Sequence, residues 1–275
     1  LRGSTAAREI NTKEGGFHMK VIYVNTENLY AYQQKAQPVA MALGYFDGVH
    51  LGHQKVIQTA NQKAHEQQLL SAVLSFFPHP KSVLQPEKPF NYLEPIEQKI
   101  EKLEKLGVDI FYIVQFTKEL SMLEGEVFLK QYVTGLQAKE IICGLDYKYG
   151  TKSSGNIHTL AAYCEQHSLG FTAVDELKWK QQKISSTLIR NCLNSSRLKE
   201  ISHLMGNFYQ TKHCKKKGLL PYYSLPNLGD YKVLIEKNGT LAEHYVTVQP
   251  SNQIFIHTET SNLPNELTIQ WVERV

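Results

Sequence analysis

Cysteine is scarce: Cys143, Cys164, Cys192 and Cys214 are the only four, and no two of them have C-x-x-C spacing. That argues against a disulfide framework and for reduced thiols in a cytoplasmic protein. No apolar run approaches the ~20 residues of a membrane-spanning helix. No signal peptide follows Met19. Charge of one sign is also lacking. Thirty Lys and Arg against 26 Asp and Glu leave a net charge of +4. Such a balance gives no reason to expect a nucleic-acid partner, and the run Lys215-Lys216-Lys217 reads as a solvated loop. There is no internal repeat, no low-complexity tract, and no acidic cluster that would mark a dedicated metal cage.

What is present is an alternation of short apolar runs and helical patterns. Leu1–His18 is small, polar and aperiodic, and is expected to be an expression-tag leader with Met19 as the native start. From Met19 to Gly206, strands are predicted at Val21–Val24, Val39–Leu43, Ala72–Phe76, Ile110–Phe116, Ile141–Gly144 and Phe171–Val174. Helical spacing lies between them. Gln54–Gln68 carries Val56, Ile57, Ala60 and Ala64 on one face. Pro95 sits at a first turn before Ile96, Ile100, Leu103 and Leu106. Ser121 and Glu124 have capping-box spacing ahead of Val127 and Phe128, and Leu160, Ala161 and Cys164 mark another helix. This pattern predicts an α/β domain with a parallel sheet covered on both faces. Ligands in such folds bind at the carboxyl ends of the strands. After Gly206 the character changes. Tyr231–Glu236, His244–Val248, Gln253–His257 and Leu267–Val272 read as strands of a small β module, with a turn at Asn238-Gly239. The expected organisation is a leader over 1–18, a catalytic domain over 19–206 and a β domain over 207–275.

The most informative segment follows the strand Val39–Leu43. It runs Gly44-Tyr45-Phe46-Asp47-Gly48-Val49-His50-Leu51-Gly52-His53 and leads into a helix. A strand-loop-helix junction is an anion site, because free N–H groups and the positive helix end converge there. Gly48 and Gly52 would admit a phosphate close to the backbone. His50 and His53, three apart, would share a face of a helical turn and pair with phosphate as their protonated form is favoured. A metal pair or plain surface histidines are the rival readings. Zinc is disfavoured because no Cys or third His stands at ligand spacing.

Three further segments carry chemistry. Phe76-Phe77-Pro78-His79-Pro80 follows the third strand and presents His79 and phenyl rings above the sheet. Gly144-Leu145-Asp146-Tyr147-Lys148-Tyr149-Gly150 follows another strand and sets aromatic rings beside a carboxylate, suiting a purine or an isoalloxazine. Ile184-Ser185-Ser186-Thr187-Leu188-Ile189-Arg190 puts three hydroxyls at a helix start with an arginine one turn in. It reads as a plain N-cap or as a second phosphate clamp.

Met19–Gly206 resembles the adenylyltransferase module of the bacterial bifunctional riboflavin kinase/FAD synthetases. The similar runs are GYFDGVHLGHQ from Gly44, SFFPHP from Ser75, CGLDYKYG from Cys143, ISSTLIR from Ile184 and HLMGNFY from His203, in the family's order and spacing. The resemblance implies a Rossmann-like His-x-Gly-His nucleotidyltransferase that takes ATP, with Mg²⁺, and FMN to FAD and pyrophosphate. It implies catalytic roles for His50, His53 and Arg190. Gly44, Phe46, Asp47, Asp146, Ser185, Ser186 and Thr187 would line the ATP site, and Pro78, His79, Tyr149 and Asn156 would lie toward the flavin. Tyr45 stands where the family commonly has Asn, and Phe77 where an acidic residue is common.

The C-terminal part departs further. The family's kinase module carries a Gly-x-Pro-Thr-Ala-Asn run, and the nearest segment here is Ser224-Leu225-Pro226-Asn227-Leu228, which has no Thr. If Leu225–Tyr231 instead matches the segment after that motif, Gln210–Gly218 stands in its place. The family's catalytic Glu precedes a strand His by two residues; in Ile254-Phe255-Ile256-His257 that position is Phe255. A degenerate kinase remnant is the expectation. The rival functions are transfer to a different phosphate acceptor, such as pantetheine or glycerol phosphate, and a non-catalytic flavin-binding or regulatory role.

Overall fold

The structure is a computed structural model and describes residues 18–88, 90–214, 218–219, 222–237, 240–258 and 265–275. The expected leader up to residue 17, the run Lys215–Lys217 expected as a loop and the turn expected at Asn238-Gly239 lie outside the described residues. The chain divides into two compact units. The first comprises residues up to Phe46, His53–Phe90 and Ile96–Glu176; the second comprises Asp47–Gly52, Asn91–Pro95 and the residues from Leu177 onward.

The first unit is built on six parallel strands: β1 (Lys20–Val24), β2 (Val39–Leu43), β3 (Leu70–Phe77), β4 (Ile110–Gln115), β5 (Ala138–Gly144) and β6 (Gly170–Val174), in the order β1-β4-β3-β2-β5-β6. All six fall where the apolar runs predicted them. β2 is buried at every position because it is central and covered on both faces. Helices connect the strands: α1 (Leu29–Lys35), α2 (Leu51–Glu66), α3 (Pro80–Leu84), α4 (Ile96–Lys105), α5 (Lys118–Ser121), α6 (Gly125–Phe128) and α7 (Ile157–Gln166). α2 buries the expected stripe Val56, Ile57, Ala60 and Ala64. The core joins the sheet residues Met41, Leu43, Leu74 and Tyr112 to Phe128, Tyr132, Leu160 and Tyr163. Each such side chain contributes roughly 1.5–3 kcal/mol by burial.

The Ser121–Glu124 capping box does not form. Thr117 caps α5 by accepting from Leu120 N (3.1 Å), and the Ser121 hydroxyl turns back onto Lys118 O (2.6 Å). Glu124 holds the N-cap position of α6 without a side-chain bond. The helix then widens into a π-helical turn over Leu129–Thr134.

The second unit holds a short hairpin, β7 (Lys178–Trp179) and β8 (Gln182–Lys183). Helices α8 (Ser186–Asn194) and α9 (Leu198–Met205) follow. The chain then forms a six-stranded antiparallel sheet. Its strands are β9 (Tyr209–Cys214), β10 (Gly218–Leu219), β11 (Gly229–Lys237), β12 (Thr240–Gln249), β13 (Gln253–Ile256) and β14 (Glu266–Arg274), in the order β10-β9-β14-β11-β12-β13. The inward positions Tyr209, Val233, Ile235, Val246, Ile269 and Trp271 share one core with Ile189, Cys192, Leu193, Ile201 and Leu204 of α8 and α9. Helices that precede Gly206 are thus packed with strands that follow it.

Candidate functional site

The strand order reverses between β2 and β5. From β2 the chain runs outward through β3 and β4, then crosses back to β5 on the other side. β2 is paired to both β3 and β5, so the loops after Leu43, Phe77 and Gly144 leave the sheet side by side. A switch point at the carboxyl ends is where α/β sheets bind ligands. Three of the four chemistry-bearing segments in the sequence begin at these strand ends.

In the first unit, Phe46 has a positive φ of 56° and is 2 % exposed. Its ring meets the half-buried His53 edge-on, with centroids 5.3 Å apart, so Phe46 supports the imidazole from below. Tyr45 is held from two sides. Its carbonyl accepts from Ser75 Oγ and from the buried Lys99 Nζ, each at 2.7 Å, and Lys99 also lies 4.4 Å from the ring centroid. The Tyr45 ring then abuts His79 (4.1 Å), which stacks on Phe90 (3.7 Å). His79 Nδ1 accepts from Lys81 N at 3.0 Å as the N-cap of α3. In the neutral ring this assigns the proton to Nε2.

A cavity of about 230 Å³ is lined by Phe76, Phe116, Phe128, Tyr147 and Tyr149, with the exposed Lys148 and Lys152 also on its wall; Pro78, His79 and Asn156 are not part of its lining. Tyr147 and Tyr149 stack at 5.8 Å, and Tyr149 bonds Thr159 through its hydroxyl (3.0 Å). A Cβ on Gly155 would lie 2.5 Å from the Tyr149 ring, so only glycine lets the chain pass there. Asp146 is exposed in the turn after β5. Asn156 caps α7: its Oδ1 accepts from His158 N and Thr159 N.

In the second unit, Ser185 caps α8 by accepting from Leu188 N (3.2 Å), and Thr187 is exposed in its first turn. Ser186 Oγ donates to Asp47 O (2.9 Å). Arg190 donates through Nη2 to Asp47 Oδ2 (2.6 Å) and to Asn91 O (2.9 Å). The Asp47 carboxylate is 3 % exposed and also accepts from Leu93 N (3.1 Å). Nearby, burial and then the neighbouring Tyr223, Asp47 and Glu94 hold the Tyr209 phenol well above its ordinary value, with Arg190 pulling the other way. α2 begins at Leu51, so His50 precedes the helix and His53 stands in its first turn. The two are therefore not on one helical turn as their spacing suggested. The close approaches at Gly48 and Gly52 are to protein. A Cβ there would meet the Leu93 side chain at 3.1 Å and the His50 ring at 3.2 Å, and Gly48 has a φ of +81°.

The sequence-predicted site residues form two sets. Gly44, Phe46, His53, Pro78, His79, Asp146, Tyr149 and Asn156 belong to the first unit. Asp47, His50, Ser185, Ser186, Thr187 and Arg190 belong to the second. Sequence reasoning missed Lys99, although Ile96, Lys99 and Leu103 fall on one buried helical face, which marks a lysine inside an apolar stripe. Asn91 and Leu93, which anchor Arg190 and Asp47, carry no signal of their own. Among the described residues no group of three or more His, Cys, Asp or Glu could hold a metal ion.

The FAD synthetase family profile matches residues 32–188, more than half of the chain. The chain belongs to the FAD synthetase family. A bifunctional riboflavin kinase/FMN adenylyltransferase of Listeria monocytogenes is 41 % identical over 215 residues, 72 % of this chain and 68 % of that protein. Its Bacillus subtilis counterpart is 37 % identical over 237 residues, 80 % and 74 % of the two chains. A shorter Listeria monocytogenes protein named FAD synthetase is 29 % identical over 206 residues, 74 % and 83 %. Among solved structures, a Streptococcus pneumoniae protein titled macrolide-efflux protein superposes with a TM-score of 0.80 at 24 % identity. It covers 94 % of this chain and 100 % of its own, a likeness of fold alone. The chain is therefore a nucleotidyltransferase of this family. No helix among the described residues is long and apolar enough to cross a membrane.

Proposed function

We propose that this protein transfers AMP from ATP to FMN, giving FAD and pyrophosphate, and does not phosphorylate riboflavin. The observation that carries the reading is the aromatic cavity at the carboxyl ends of β3, β4 and β5. Phe76, Phe116, Phe128, Tyr147 and Tyr149 offer π faces and edges of the kind a planar tricyclic ring stacks against. Its lining comes from strands of the parallel sheet and the segments that follow them. The relatives' names agree with the reaction.

In this reading an FMN phosphate oxygen attacks the α-phosphorus of ATP in line. The new P–O bond forms as the bond to the β-phosphate oxygen breaks, and pyrophosphate leaves with the charge. The attacking phosphate is already anionic, so no protein nucleophile is needed; positioning and charge stabilisation do the work. His50 and His53 serve the α- and β-phosphates and the departing pyrophosphate. Ser185, Ser186, Thr187 and Arg190 serve the β- and γ-phosphates, with α8's N-terminal N–H groups adding donors. Gly44, Phe46 and Asp146 belong to the nucleotide side; Pro78, His79, Tyr149 and Asn156 belong to the flavin side. Mg²⁺ enters with ATP as part of the substrate. The enzyme works in the cytoplasm, consistent with four free cysteines.

The absence of kinase activity rests on two segments. Leu225 and Pro226 are buried, and the loop around them is fastened by Tyr209 OH to Ser224 O and Tyr231 OH to Asn227 O, each at 2.6 Å. No Thr stands there to meet a nucleotide. Phe255, 55 % exposed, occupies the position of the family's acid. The test is to incubate the full-length protein with Mg-ATP and either FMN or riboflavin and to separate the flavins. FAD from FMN, with riboflavin unchanged, is the expected result. FMN formed from riboflavin at a rate near that of FAD synthesis would overturn the kinase-less reading.

A further inference from the structure

We propose that Asp47 is a positioning residue, one that acts on the reaction by holding Arg190 and does not itself touch ATP. The proposal rests on the adenylyl-transfer reading above. The family resemblance implies that Asp47 lines the ATP site. The structure gives its carboxylate other work. It is 3 % exposed and takes the Arg190 guanidinium and the Leu93 N–H. A buried carboxylate is tolerated only with partners of this quality.

Two features make this contact a device for orientation. Both Nη2 hydrogens of Arg190 are committed, one to Asp47 Oδ2 and one to Asn91 O. The guanidinium is planar and rigid, so two bonds from one nitrogen fix its plane. In addition, the Asp47 carbonyl accepts from Ser186 Oγ. One residue is therefore fastened to α8 at its first position and again one turn later. It ties the Asp47–Gly52 segment, which carries His50, to the helix start that carries the hydroxyls. Misplacing such groups by about 1 Å costs turnover on the order of 10²-fold.

The charge of Asp47 separates this role from direct binding. Its carboxylate offsets the Arg190 charge. Asp47→Asn keeps the shape and an acceptor for Leu93 N–H, but removes that offset. Ground-state attraction for ATP is then undiminished while the guanidinium loses its fixed plane. The expected signature is a fall in kcat of about 10- to 100-fold with KM for ATP unchanged or lower. In the Arg190→Gln background, Asp47→Asn should cause no further loss, because Asp47 acts through Arg190.

The experiment is steady-state FAD synthesis by Asp47→Asn, Arg190→Gln and the double variant, with thermal melts alongside. A raised KM for ATP with intact kcat would make Asp47 a direct ligand and overturn the proposal. So would multiplicative losses in the double variant, or a lowered melting temperature with unchanged kcat. If Asp47→Asn does not accumulate folded, Arg190→Lys carries the test. It keeps the charge but cannot hold two acceptors through one planar nitrogen, so kcat should fall at constant KM; wild-type turnover would refute the proposal. If the wild type makes no FAD at all, the functional reading fails separately. Calorimetric binding of a non-hydrolysable ATP analogue to the same variants then decides. Affinity undiminished in Asp47→Asn supports the positioning role, and affinity lost in it refutes the role.

Discussion

Trp271→Ala should disable the enzyme from a distance. Trp271 is fully buried in β14, its ring meets Tyr231 edge-on at 5.6 Å, and its Nε1 donates to Thr211 Oγ1 at 3.0 Å. Truncating a buried tryptophan costs about 3–5 kcal/mol, and orphaning the Thr211 hydroxyl adds about 1 kcal/mol. At roughly 4 °C per kcal/mol for a domain of this size, the transition of the second unit should fall by about 15–25 °C. Trp271 shares its core with Ile189, Cys192 and Leu193 of α8. The same helix carries Ser186 and Arg190. FAD synthesis followed against temperature should therefore collapse at the lowered transition, well before the parallel sheet of the first unit unfolds. Circular dichroism and the activity assay, run on one sample, give both curves. Activity that survives through the lowered transition would show that α8 does not depend on this core, and the argument would fail.

Three further outcomes follow from the same structure. His50→Ala should lower turnover about 10²-fold or more, the scale for losing a preorganised charge-stabilising group, with FMN affinity little changed; near-normal turnover would remove His50 from the phosphate site. Phe128→Ala, which opens the aromatic cavity without touching the phosphate residues, should weaken FMN binding at least tenfold in a fluorescence titration while KM for ATP holds; unchanged FMN affinity would put the flavin elsewhere. Burial, then the nearby Cys164, pushes the Cys143 thiol up to about 12, and burial raises Cys164 to about 11. In the unfolded chain thiols ionise near ~8.5, so the unfolded state sheds protons that the folded state keeps, and stability should decline from about pH 8.5 upward. A thiol reagent at pH 8 should accordingly label the partly exposed Cys214 first and reach the buried Cys143, Cys164 and Cys192 only on unfolding.

The parallel sheet was legible because its signal is local. Val39–Leu43 is apolar at every position, as a strand covered on both faces must be, and the other five runs differ from the observed strands by at most three residues at either end. β9 was not legible. Tyr209, Thr211 and His213 alternate with Gln210, Lys212 and Cys214, too polar a run to mark a strand, and its main partner is β14, about sixty residues on. The broken helix near Ser121 shows the reverse error. The capping-box spacing was present, but Thr117 offered a cap four residues earlier, and the Ser121 hydroxyl found a carbonyl within its own turn. At the site, residue types were readable and partnerships were not. That Asp47 belongs to Arg190, 143 residues away, is decided by tertiary packing.

The same packing ties α8 to the β strands of the second unit. α8 buries Ile189, Cys192 and Leu193, and α9 buries Leu198, Ile201, Leu204 and Met205. Two short helices cannot cover those faces with each other alone. The inward side chains of β9, β11, β12 and β14 complete the core. Burying one such side chain contributes about 1.5–3 kcal/mol, and ordinary domains are stable by only about 5–15 kcal/mol. Removing the strands after Gly206 would therefore withdraw more burial than the helices can lose. The Ser185–Arg190 segment stands on α8, so its geometry is inherited from the sheet. The β unit is thus required for the geometry of that segment, whatever else it does.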